Sequence, residues 1–208
     1  MDLSIADYAK AAAMYERRWK LLDETLYQLC REHPGHSEAE VHAKAWVIGR
    51  TYATGIERAI RSTRQQGSSL SKLAQCLQQN ANALNRIFGQ LEGIREPLDP
   101  QRLSEIVRLH GEIIRVLKPV TRAKISPRSF VSKYMHFHNP AVPIFDSFAD
   151  QKLKKLVRWS TRIELFELPH GSDLYYGWYV MRFFEVYKAL CSSAVPVNAK
   201  LVDTFILY

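Results

Sequence analysis

Residues 129–156 read SFVSKYMHFHNPAVPIFDSFADQKLKKL. An aromatic run without an acid crosses Pro140 and Pro143, meets Asp146, and passes into a segment with three lysines. Local chemistry divides it into helix, stiff loop and helix. Ser129 suits a cap, and Phe130, Lys133, Tyr134 and Phe137 fill the next turns to about His138. The two prolines hold the following residues extended. Asp146 then stands where the free amides and dipole of a helix from about Ser147 to Trp159 favour an ionised carboxylate. Two roles fit it there. Asp146 is a helix cap, or it is a carboxylate at the mouth of a cationic cleft that takes a proton or offsets positive charge developing on a sugar.

The charge around this stretch is uneven. From Ile113 to Arg162 there are eleven bases and only two acids, Asp146 and Asp150, a balance of +9. The whole chain of 208 residues carries +8, so everything outside that segment sums to −1. Cations gathered in this way suit a polyanion. Lys118, Arg122, Lys124, Arg128, Lys133, Lys152, Lys154, Lys155 and Arg158 are the candidate nucleic-acid contacts. A plain solvated face has the same composition.

Away from this stretch the chain reads as helices. Ser4, with Asp7 three residues on, starts an apolar series from Ile5 to Leu29 at helical spacing. HPGHS at 33–37 breaks it, and His33 and His36 are expected in solvent there. Ser37 with Glu40 repeats the capping box and opens a long helix expected to run to near Gly67, with Gly49 and Gly55 inside it. Arg58, Arg61 and Arg64 would share one face of that helix. Residues 68–91 give one or two shorter helices, and Asp99-Pro100 caps a helix to about Leu117. SDLYYGWYVMRFFEVYKAL is a long aromatic helix, and AKLVDTFIL closes the chain with a short one. ELFEL at 164–168 is the one weak strand candidate. The fold class is therefore all-α, a multi-helix bundle. Its organisation is an N-terminal helical region over 1–95 and a second over 96–208, or one continuous domain.

The composition, 47% hydrophobic and 24% charged, is that of a soluble globular chain. No apolar run is long enough for a membrane span, and the N-terminus lacks the basic-then-apolar order of a signal peptide. Cys30, Cys76 and Cys191 are scattered and odd in number, which fits reduced thiols and a cytoplasmic location rather than a zinc ribbon or a cluster. His136 and His138, two apart on a helix, do not share a face. No metal or cofactor is expected. Trp159, Tyr175, Tyr176, Trp178, Tyr179, Phe183 and Phe184 read mostly as core, with a base-stacking platform as the alternative.

The order of parts over residues 118–157 resembles the helix-hairpin-helix DNA glycosylase superfamily. In that family a hairpin precedes a helix, and a Pro-apolar-Asp loop delivers the catalytic aspartate at the start of the next helix. VPIFD at 142–146 looks like that loop, with Asp146 in the aspartate's place, and FADQKLKKL looks like the helix behind it. SFVSKYMHFHNPAVPIFD and the closing LVDTFIL also look like a less characterised branch. The resemblance implies a glycosylase-like helical C-terminal part, DNA as the partner, and monofunctional base excision through Asp146, with Lys133 and Ser129 as further candidates. The chain departs from the pattern in two places. Residues 119–128 hold no glycine where the family's hairpin grips a phosphate with backbone amides, and Ser129 stands near the position of the Schiff-base lysine of bifunctional members. Binding therefore ranks above catalysis. The other readings are a non-enzymatic binding or regulatory protein of phage defence or mobile elements that kept the fold without the chemistry, and a homo-oligomer joined through its N-terminal helices.

Overall fold

Ser4 accepts the Asp7 amide at 3.2 Å and starts α1 (Ile5–Arg18). The computed structural model describes residues 4–61, 68–158, 166–193 and 195–208. The expected single helix to Leu29 is instead two, because Trp19 (φ −117°) breaks the run before α2 (Lys20–Glu32). The apolar spacing continues through the break, which is why the pattern conceals it.

Glu40 accepts the Ser37 amide at 2.9 Å and opens α3 (Glu38–Thr51). The chain does not stay helical to Gly67. Ala53 and Gly55 have left-handed backbones (φ 46° and 67°), which end the helix. One short turn, α4 (Ile56–Ala59), follows, and residues 62–67, with Arg64 among them, lie outside the described part. Arg61 is therefore not on a long helix. Its amide donates to the Val120 carbonyl and the Arg122 amide to the Ala59 carbonyl, both at 2.8 Å, around an antiparallel Ile60–Thr121 bridge.

The next elements are α5 (Ser69–Gln79), α6 (Ala81–Glu92) and α7 (Pro100–Leu117), the last capped by Asp99 on the Arg102 amide at 2.8 Å. They are followed by α8 (Arg128–His138), α9 (Ser147–Leu156), α10 (Leu174–Cys191) and α11 (Ala199–Leu207). Of ELFEL, residues 164 and 165 are outside the described part and 166–168 form no strand. The protein is an all-α, multi-helix bundle. No described helix is long and apolar enough to cross a membrane.

Helix α8 is the centre. Phe130 to Phe137 are eight consecutive buried residues, so this helix has no solvent face. α2, α3, α6 and α7 enclose it, and one apolar core joins residues of 1–95 to residues of 96–208. Tyr176, Tyr179, Phe183 and Phe184 belong to that core, whereas Tyr175 and Trp178 are partly exposed; Trp159 is outside the described part.

His36 corrects an expectation. It is buried, with Nδ1 donating to Asn85 Oδ1 at 2.7 Å. The buried Lys44 ammonium donates to the carbonyls of His33 (2.9 Å) and Gly35 (2.6 Å) and draws the turn inward. Burial holds the imidazoles of His36 and His110 at about 4 and that of His136 at about 3, and pushes His138 well down. Unfolded histidines titrate near about 6.5, so the unfolded chain binds these protons first. Their contribution to stability is complete above about pH 6.5 and is lost as pH falls towards about 4. Glu96 and Asp203, raised by burial, act in the opposite sense but are two groups against four. Urea midpoints should therefore fall between about pH 7 and about pH 5. A level or rising midpoint over that range contradicts the neutral histidine core.

Candidate functional site

Asp146 is the N-cap of α9. Its backbone is extended, and Oδ1 accepts the Phe148 amide at 2.9 Å. The second oxygen, Oδ2, lies 3.5 Å from Lys133 Nζ. Lys133 also donates to Ser129 Oγ and to the Tyr52 carbonyl, both at 3.1 Å. The three catalytic candidates are thus in one cluster. Lys133 has a side chain 5% exposed, against 25% for Asp146, so it belongs to this cluster and not to an exposed phosphate-binding face. Burial lowers the Lys133 ammonium pKa, and Asp146 works against that shift.

The loop before Asp146 is held by side chains. His136 Nδ1 donates to the Val142 carbonyl (2.7 Å), which leaves Nε2 to accept from the Tyr27 hydroxyl (2.5 Å). Tyr176 donates to the Pro143 carbonyl (2.7 Å), Tyr179 to the Ile144 carbonyl (2.6 Å), and the Phe145 amide to Ser132 Oγ (2.9 Å). Asp203 Oδ2 accepts the Ile144 amide at 3.0 Å. The two histidines of α8 diverge: His136 faces the loop and Tyr27, whereas His138 lies near Lys44 and stacks on His36.

Lys133 and Asp146 line a cavity of about 280 Å³. Its other polar walls include Asp23, Tyr52, Lys200 and Asp203, none of which was a candidate from sequence. Lys200 Nζ is 2.6 Å from Asp23 Oδ2, and the Tyr52 hydroxyl donates to Asp23 Oδ1. The acids inside LLDETLY and LVDTFIL were the available signal, since a carboxylate on an apolar helix face needs a partner. Ala53, with its left-handed backbone, is also in the wall. A larger cleft of about 760 Å³ shares Tyr15 and Lys200, and its rim is mixed in charge, with Glu16, Glu24, Glu92 and Glu96 beside Arg31 and Arg95.

The segment 118–127 between α7 and α8, where the resemblance expects the hairpin, borders a separate groove of about 600 Å³. Arg61, Arg115, Lys118, Arg122, Lys124 and Arg128 line it, and among the described residues no acidic side chain does. Four were candidates from sequence; Arg61 arrives through the bridge to Thr121, and Arg115 from the end of α7. The amides of Val120, Thr121, Arg122 and Ile125 all donate to protein carbonyls, so side chains supply the cationic contacts. Arg128 pairs with Asp173 at 2.6 Å and sits 4.8 Å from the Tyr175 ring. Lys154 is also 4.8 Å from that ring and is held by Asp150 at 2.5 Å, which connects α9 to the groove's edge. Lys152 is half-buried; Lys155 and Arg158 are exposed outside the groove. Arg162 is outside the described part.

Comparison with known protein families, with characterised proteins and with solved structures finds no match to this chain.

The cap and the ion pair of Asp146 are separable. Asp146→Asn keeps the cap and removes the charge facing Lys133, whereas Asp146→Ala removes both. With Lys133→Met as the other arm, a double-mutant cycle should give a coupling of about 1 kcal/mol, modest because water screens the part-exposed carboxylate. Strictly additive losses in urea melts would show that the pair contributes nothing.

Proposed function

We propose that this chain binds nucleic acid, with DNA as the partner, along the groove of the 118–127 hairpin. One observation carries the reading: six cationic side chains converge on a cleft that no acid lines among the described residues. Counterion release from phosphates would drive association there. The order α7, hairpin, α8, proline loop, Asp146 and α9 agrees with the resemblance to helix-hairpin-helix glycosylases. The committed amides of Val120, Thr121, Arg122 and Ile125 favour a gripping mode that relies mainly on side chains.

A second reading, base release through Asp146, is favoured by the cavity beside the Lys133–Asp146 pair. Asp146 keeps partial exposure, and the clamped loop holds it in one place. In that reaction the carboxylate would activate water or offset the sugar cation, and Lys133 would fix its orientation.

Gel shifts across salt test the binding reading. The slope of log affinity against log salt should steepen by about −0.9 per duplex phosphate contacted, or about −0.7 for a single strand. Arg122→Glu with Lys124→Glu should weaken binding to all sequences alike and flatten the slope by roughly two phosphates' worth. Affinity indifferent to salt sinks the reading.

Base release is tested on duplexes carrying a panel of damaged bases. Asp146→Asn should keep DNA affinity and lose release by orders of magnitude. Equal release by wild type and variant, or none by wild type, ends the catalytic reading.

A further inference from the structure

Three tryptophans lie in the described part, and two of them have partners. The Trp19 indole donates to the Tyr208 hydroxyl at 3.0 Å, and the Arg50 guanidinium lies 4.8 Å from the Trp46 ring. Trp178 is different. It is 47% exposed, and among the described residues its indole has no hydrogen bond, ring contact or cation. The next six residues of α10, Tyr179 to Phe184, are all buried. Leu174, one turn before Trp178 on the same face, is also exposed. A large ring left in water forgoes the burial that aromatic side chains ordinarily gain, so a bare indole on so buried a helix marks a contact surface.

The neighbours of that surface decide what fits it. Tyr175 shares the face, three residues before Trp178. Arg128 and Lys154 each lie 4.8 Å from its ring, and Phe145 meets it edge-on at 5.8 Å. Tyr175 is thus enclosed, and the free stacking face belongs to Trp178. Arg128 also lines the groove, so Tyr175 joins the groove's rim to the indole. Side chains three or four apart on a helix stand about 5–6 Å from one another, which puts the indole within a nucleotide or two of that rim. The acids at the junction are engaged. Asp173 holds Arg128 at 2.6 Å, and Asp150 accepts from Lys154 (2.5 Å) and from the Tyr175 hydroxyl (2.6 Å). These pairs sum to zero charge, so the junction repels no phosphate and the attraction comes from the groove.

We infer that the partner is an unpaired strand, with its phosphates in the groove and one base stacked on the exposed face of Trp178. The inference rests on the nucleic-acid reading and narrows it to single strands. A cationic track beside a bare aromatic face is what a single strand needs, because its bases present their flat faces. Duplex bases hide those faces against one another. Every base has such a face, so the surface selects strandedness and not sequence.

The test uses the full chain and three labelled ligands: a thymine homopolymer strand, an abasic strand of the same length, and a hairpin duplex. Fluorescence anisotropy at one low salt concentration gives each affinity. Wild type should bind the thymine strand on the order of tenfold more tightly than the abasic strand, which has the same phosphates. Trp178→Ala should lose that tenfold and leave the abasic and duplex affinities unchanged, which also shows that the variant is folded. Trp178→Phe keeps a ring and should hold the thymine strand within about threefold of wild type. Equal binding of thymine and abasic strands by wild type overturns the inference, as does equal binding of the thymine strand by wild type and Trp178→Ala. Salt-dependent binding of the abasic strand would in either case leave the groove reading standing. Binding of none of the three ligands removes both. A Trp178→Ala change that dissolves a dimer of the free chain in sedimentation, with strand affinities untouched, overturns the inference and assigns the face to a second copy.

Discussion

The position of Asp146 depends on how a proline loop satisfies its backbone. Residues 140–146 cannot form a helix, because Pro140 and Pro143 offer no amide hydrogen and restrict their neighbours. Buried carbonyls and amides without partners would cost about 1–3 kcal/mol each. The chain meets that demand with side chains drawn from three helices: His136 and Ser132 from α8, Tyr176 and Tyr179 from α10, and Asp203 from α11. Asn139 adds a fourth connection, donating to the carbonyls of Leu91 in α6 and Ile94 just after it and accepting the Ala141 amide. Each of these bonds places a polar side chain within a largely apolar core. Such an arrangement fixes one backbone position at the expense of simple packing, as a site needs its supporting groups to be rigid.

The same logic explains the charges. Lys44 is buried with two carbonyls and no carboxylate, which suits holding a turn. Lys133 and Lys200 each have a carboxylate, and both pairs face one cavity. Replacing buried ion pairs by well-packed apolar residues is often neutral or stabilising, so two of them in one wall are weak evidence of a stability role. Both stand beside the left-handed backbone of Ala53, which lines the same cavity.

Local rules carried most of the fold from sequence. The caps at Ser4, Ser37 with Glu40, and Asp99 with Pro100 are all present, because each needs only residues within one turn. Asp146 was legible for the same reason, as a short polar side chain ahead of an amphipathic run. What escaped depends on distant partners. His36 reads as a solvent residue until Asn85, forty-nine positions away, accepts its proton. The apolar period crosses Trp19 unchanged, so the break between α1 and α2 has no local mark beyond the tryptophan itself. Asp23, Lys200 and Asp203 come from the two ends of the chain, and the packing of α2 on α8 and of α11 on α1, α9 and α10 brings them to Lys133.

The groove and the cavity are separate concavities, and one short segment connects them. At one end Tyr52 gives its carbonyl to Lys133 and its hydroxyl to Asp23, inside the cavity. At the other end Ala59 and Arg61 bond the hairpin backbone, and Arg61 turns into the groove. Between them lie the two left-handed residues, Ala53 and Gly55, which reverse the chain within a few positions. A longer helix through this region, as the apolar pattern suggests, would carry Arg61 away from the hairpin and leave the Lys133 ammonium short of one acceptor. The local strain at Ala53 is thus tied to two contacts that a straight helix forfeits. The N-terminal region contributes to both concavities, and for this reason the C-terminal region alone would lack a wall of the cavity and a cation of the groove.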